Sequence, residues 1–277
     1  YVLIGLEYAL RADFNVEEEL LDLARDYLVF NLEEPEELSE NWKVDLLAFK
    51  IYALRQHHID LLPTLSGLYD RRSELSPWAL SLLALSMNEE SGMNANMKTV
   101  LGDLENRAVR SATGVHWESD GISWMLPGTP IFNTAAVVYT IAQLDPASES
   151  LAPALQYLLT HQDSNNWWSS SFESAWVLMA ISKVIQGTGG YLADFSFSAK
   201  LNDNFLVEGE ATGSAYTAAS AAQVGVTSLY KDDPNALLIQ RDEGTGTLHY
   251  RVDLQTYQSA SSAESIQGGI NVQRDYY

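Results

Sequence analysis

The stretch NNWWSSSFESAWVLMAISKVI, residues 165–185, decides the fold. A tryptophan pair and a serine run lead into an apolar segment. Ser170 or Ser171 is placed to cap a helix, and Glu173 or Ser174 falls in its first turn, where an acidic side chain suits the helix dipole. Ala175, Leu178, Met179 and Ser182 share one face of that helix; Trp176, Ala180 and Val184 share another. A helix apolar nearly all round is expected between layers of other helices.

Working upstream, the 3.6 period predicts helices over residues 1–12, 16–31, 42–56 (capped by Asn41), 61–69, 78–87, 93–109, 131–144 and 148–161. They alternate in character. Those near Trp42, Ser76, Asn133 and Ser174 carry little charge and share a five-residue spacing of small residues: Ala48/Ala53, Ala79/Ala84, Ala135/Thr140 and Ala175/Ala180. The helices between them are more polar and amphipathic. Two concentric rings of helices require this alternation, so the expected architecture is mainly α, a partial α/α toroid of terpenoid-cyclase-like type. Residues 110–130 break the helical period.

Past Gly187–Gly190 the period changes to two. Phe195, Phe197, Ala199 and Leu201 alternate with polar residues, as do Leu248, Tyr250, Val252 and Leu254, which predicts half-buried strands in a small antiparallel β unit. The expected division is residues 1–190 and 191–277.

Composition bounds the function. The 277 residues carry a formal charge of −21, with a pI near 4.4, and no cysteine. That balance excludes a basic nucleic-acid stripe. The absence of cysteine excludes disulfides and thiolate chemistry in this stretch of chain. No apolar run reaches the roughly 18 residues that cross a membrane. The acidic run EEPEELSE, 33–40, reads as a solvated interhelical loop. A start at Tyr1 in mid-pattern and an end in a strand-like segment indicate a piece of a longer protein, whose inner helices would expose apolar surface at the cut edge.

The search for chemistry yields two loops. His57 and His58 are adjacent and cannot clamp one ion, and His161 and His249 stand alone, so no metal or cofactor is expected. No nucleophile elbow or phosphate loop is present. His116, Glu118 and Asp120, with Trp117 and Trp124, are candidates to line a sugar cleft with an acid–base pair. The alternative is that Trp117 plugs the end of the helical layers while His116 and Glu118 pair with one another. Trp167, Trp168 and Ser169 pose the same choice between a ligand platform and a loop that closes helix packing. In both places the structural reading is preferred.

Taken in order, YVLIGLEYAL (1–10), SPWALSLLAL (76–85), RAVRSATGVHWES (107–119), FNTAAVVYTIAQLDP (132–146) and the opening stretch resemble the thioester-containing domain of the α-2-macroglobulin and complement family, nearest to its bacterial members. LLIQRDEGTGTLHYRVDLQTY (237–257) resembles the CUB-like strands that follow that domain, and GINVQRDYY (269–277) the opening of a macroglobulin-like domain. The resemblance matches His116, Trp117 and Glu118 to the family's His-Trp-Glu loop, and Trp168, Ser169 and Ser170 to the loop that opens its last inner helix. The thioester Cys-Gln segment would lie upstream of Tyr1, so no catalytic residue carries over.

The resemblance implies a fragment of a protease-trapping inhibitor, not an enzyme, which scaffolds an upstream thioester and couples it to neighbouring macroglobulin-like domains. The implied partners are target proteases, and the implied location is extracytoplasmic, in the periplasm or at the cell surface. The rival readings are an α/α-toroid carbohydrate enzyme using Glu118, Asp120 and Glu173, and a thioester-less interaction module.

Overall fold

A computed structural model describes residues 1–88, 90, 92–111, 114–119, 128–162, 167–188, 193–212 and 220–246, together with 248, 250, 252 and 254. Its helices are α1 (Val2–Arg11), α2 (Glu18–Phe30), α3 (Asn41–Arg55), α4 (Leu62–Asp70), α5 (Pro77–Asn88), α6 (Asn94–Asn106), α7 (Pro130–Leu144), α8 (Leu151–Thr160) and α9 (Ser171–Thr188). A hairpin of β1 (Val109–Ser111) and β2 (Gly114–His116) lies between α6 and α7. Strands β3 (Asp194–Leu201), β4 (Asn204–Thr212) and β5 (Leu237–Arg241) follow α9. Residues 1–247 form one compact unit and 248–277 a second.

The alternation in character becomes an alternation in depth. Helices α3, α5, α7 and α9 pack successively on one another. Every side chain from Pro77 to Met87 in α5 and from Phe132 to Ala142 in α7 is buried. By contrast α2 buries only Leu21, and α6 only Val100 and Leu104. The small residues sit where backbones approach: Ala48, Ala53, Ala79, Ala84, Ala135 and Thr140 are all buried. Ala175 departs from the pattern. It is exposed, as are Leu178 and Ser182, so α9 buries the face carrying Trp176, Val177 and Ala180 and leaves the other open.

One end of these helices is closed by aromatic rings. Tyr1 meets Phe49 at 4.5 Å, Phe49 meets Trp78 at 6.4 Å, and Trp78 meets Phe132 at 5.6 Å. Phe132 meets Phe172 at 4.9 Å, and Phe172 returns to Tyr1 at 5.5 Å. Tilted and edge-on pairings of this kind are what the ring quadrupole favours.

In the sheet β3 is central, with β4 and β5 antiparallel on either side. The β3–β4 turn is Asn202-Asp203, both at positive φ, which matches the right-handed twist of the flanking strands. The Asn202 side chain also accepts from the Ala236 N–H at 2.9 Å, tying the turn to the start of β5.

Several expectations are corrected. Glu40, not Asn41, precedes α3, and its carboxylate is held by Trp42 and Lys43. Helix α6 ends at Asn106 because Val109 enters the hairpin, which period analysis of residues 110–130 did not anticipate. Leu248, Tyr250, Val252 and Leu254 are not in a strand, and the last three are strongly exposed. Asp120, Trp124 and residues 255–277 lie outside the described residues. No helix among the described residues is long and apolar enough to cross a membrane.

Candidate functional site

The His116-Trp117-Glu118 loop leaves β2 and lies against the last turn of α6 and the first turns of α7. Trp117 is fully buried. Its indole N–H donates to the Leu104 carbonyl at 2.6 Å, and its backbone N–H donates to the Thr134 hydroxyl at 3.1 Å. Leu104 is the third residue from the end of α6, and its carbonyl also accepts from the Arg107 N–H, at 3.1 Å, in the closing turn. The indole therefore caps a helix C-terminus while its rings fill the core.

His116 is held by the hairpin and by α8. Its Nε2 bonds Glu118 at 2.9 Å, and its ring stacks on Tyr157 at 4.4 Å and 9°. Tyr157 in turn stacks on His161 at 4.0 Å. The close approach depends on Gly114, at φ +124°, where a Cβ would stand 2.2 Å from the Pro153 carbonyl oxygen. The His116 Nδ1 atom is buried without a partner, whereas the Glu118 side chain is largely exposed. Glu118 is spent on its histidine, and Asp120, its suggested acid–base mate, lies outside the described residues.

The second loop repeats the first. Trp168 is buried, and its indole N–H donates to the Leu158 carbonyl at 2.9 Å; Leu158 is likewise the third residue from the end of its helix, α8. The Trp168 backbone N–H donates to the Ser174 hydroxyl at 3.4 Å, near the start of α9. Trp167 is exposed beside it, as is Ser169. Ser170 is the residue that caps α9: its hydroxyl accepts from the Glu173 N–H at 3.1 Å. Glu173 is buried and accepts from the hydroxyl of Thr129, which itself caps α7 by accepting from the Phe132 N–H at 3.2 Å. Glu173 thus joins two helix starts, and its Oε2 is buried without a partner.

Sequence reading passed over Asn133, which joins these parts. Fully buried, its carbonyl accepts from the Trp78 N–H at 3.2 Å. Its amide donates to the Ser119 hydroxyl at 2.9 Å and to the Gly128 and Thr129 carbonyls, both at 3.1 Å. A polar residue in the middle of an otherwise apolar helix start was the available signal. Among the described residues no three His, Asp or Glu side chains converge as metal ligands.

No family model matches this sequence, and no curated protein matches it. Solved structures do match in fold. Native α-2-macroglobulin from Escherichia coli, spanning domain MG7 to the C-terminus, aligns at TM-score 0.54 and 12% identity over 75% of this chain and 32% of that one. The trypsin-activated E. coli protein aligns at 0.51 and 14% identity, over 75% of this chain and 14% of that one. The elastase-activated protein aligns at 0.53 and 15% identity, over 88% and 20%. This chain therefore spans at most a third of each of these three structures. What it shares with them is a fold: packed helices followed by a small antiparallel sheet.

Proposed function

We propose that this chain is part of a bacterial α-2-macroglobulin-like protease trap. Residues 1–190 serve as the C-terminal part of an α/α-toroid thioester-type domain, and residues 191–277 as a CUB-like region leading into a macroglobulin-like domain. In this reading the chain performs no catalysis. It supplies the scaffold that shields or presents a thioester formed upstream, and it couples that scaffold to the rest of the molecule. Its partners are target proteases, met through the full-length protein, and it works outside the cytoplasm.

The observation that carries the reading is the likeness in fold to the E. coli structures, which extends over 75–88% of this chain. The loops agree with a scaffold role. Trp117, Trp168 and Glu173 are committed to helix ends rather than to an open cleft. The Glu118 carboxylate is held by His116.

The test is made on the full-length protein. Labelled methylamine is added, and thiol release is followed with a thiol-reactive dye, before and after a general protease. Amine uptake with one released thiol, and protection of the protease from large inhibitors and substrates, supports trapping. No thiol and no change in cleavage of large substrates overturns it in favour of an interaction module.

A further inference from the structure

The two ends of the inner helices are built differently. The end near the N-termini of α5, α7 and α9 is sealed by the aromatic circuit. The opposite end opens into a cavity of 590 Å³, lined by the C-terminal halves of α1, α3, α5, α7 and α9. That volume lies within the ~300–1,000 Å³ typical of small-molecule pockets.

The floor is phenolic. Tyr52 and Tyr139 are 3% and 7% exposed, and Leu85 lies beside them. The Tyr8 and Tyr139 hydroxyls are 3.2 Å apart, and Tyr52 lines the cavity with them. Burial pushes the Tyr52 and Tyr139 phenols far up, so both stay neutral and act as donors and acceptors. Three phenols thus bring polar hydroxyls to this end, whereas the other end of the helices carries mainly Phe and Trp rings.

The rim is amide-rich, with Gln56, Gln143 and Gln186, and Ser182 adds a hydroxyl. Arg11 and Lys183 are the two cations, and no carboxylate among the described residues lines the cavity. Arg11 is paired with Glu7 at 2.9 Å and donates to Gln56 at 3.1 Å, and Lys183 lies over the Tyr139 ring, 6.0 Å from its centroid. Both cations are thus engaged within the protein, and neither is left as an anion site. What remains is dense neutral hydrogen-bonding capacity beside an apolar ledge, Leu178 and Met179, on the face of α9 that the core leaves open.

We propose that this cavity binds a neutral saccharide of one or two rings. The phenols and amides exchange hydrogen bonds with the sugar hydroxyls, and Leu178 and Met179 cover its C–H face. With no carboxylate in the lining, the site binds and does not hydrolyse. Sugar binding is read on this chain without a protease, so its outcome is distinguishable from that of the trapping test.

The test is saturation-transfer NMR and titration calorimetry on the full 277-residue chain. The neutral probes are glucose, maltose, cellobiose and N,N′-diacetylchitobiose, and the charged probes are glucuronate and tetramethylammonium. Saturable binding of at least one neutral sugar is expected. Tyr139→Phe should weaken it about three- to tenfold. Leu178→Trp, which fills the mouth from an exposed position, should abolish it with an unchanged melting temperature. The proposal is overturned if no neutral sugar saturates, if a charged probe binds more tightly, or if Leu178→Trp leaves binding intact. Self-association that buries Leu178 and is indifferent to sugar also overturns it.

Discussion

Trp117 and Trp168 do the same work at two places in the fold. Each donates its indole N–H to the carbonyl of the third residue from the end of the preceding outer helix, and each gives its backbone N–H to a hydroxyl in the first turns of the next inner helix. The outer helices are thereby stitched to the inner ones by a side chain that both fills space and satisfies a helix end. Trp168→Phe keeps most of the ring volume but removes the indole donor to the Leu158 carbonyl and should cost about 1–3 kcal/mol in urea denaturation. Trp117→Phe leaves the Leu104 carbonyl its bond from the Arg107 N–H at 3.1 Å and should cost less, about 1 kcal/mol. Trp167→Phe, at an exposed position, should stay within about 0.5 kcal/mol of wild type.

Asn133 should be less tolerant than any apolar residue around it. Asn133→Leu keeps the branching at Cγ but strands the Trp78 N–H and removes the donor shared by Ser119, Gly128 and Thr129. A loss of roughly 3–5 kcal/mol is expected, since several buried groups lose partners at once. A loss under 1 kcal/mol would show that the residue is not a junction.

Gly114→Ala should detach the hairpin. The residue sits at positive φ, and its Cβ would meet the Pro153 carbonyl and the Tyr157 N–H. Backbone cannot yield as a flexible side chain does, so a cost above about 2 kcal/mol is expected. Loss of the ring-current shifts that the His116–Tyr157 stack imposes would be the NMR signature.

Asp45 gives a pH dependence with a definite sign. Its carboxylate accepts from the Ser76 N–H at 2.8 Å, but burial outweighs that bond and lifts its pKa to about 6. Between about pH 4 and 6 the folded chain holds a proton that the unfolded chain has released. This group's contribution to stability is therefore full below the unfolded value and is lost as pH rises through about 6. Asp45→Asn keeps the acceptor and removes the titration. It should stabilise the protein by roughly 1–2 kcal/mol at pH 7.5, the bare shift being discounted for the partial exposure of the group. The change should vanish near pH 4. Equal melting temperatures at pH 7.5 would refute the assignment.

The layers were legible in the sequence because burial on one side or on two leaves a direct mark on composition. Charge-poor α5 and α7 are buried along their length, and amphipathic α2 is not. The two tryptophan loops were visible as residues but not as a repeat, because the acceptors are backbone carbonyls that no side-chain pattern encodes. The hairpin escaped because three-residue strands are too short to show a period. The open face of α9 escaped for a different reason. Leu178 is apolar and was read as core, but apolarity does not say which neighbour is present.

The aromatic circuit has a consequence for assembly in time. Tyr1 touches both Phe49 and Phe172, so the residue that precedes α1 waits for α9 before its ring environment is complete. Contacts of such sequence separation form late, after the local helix pairs. During synthesis α1 should remain exchangeable while α3, α5 and α7 gather, and pulse-labelled hydrogen exchange on arrested nascent chains should find its amides protected only once Phe172 has cleared the ribosome.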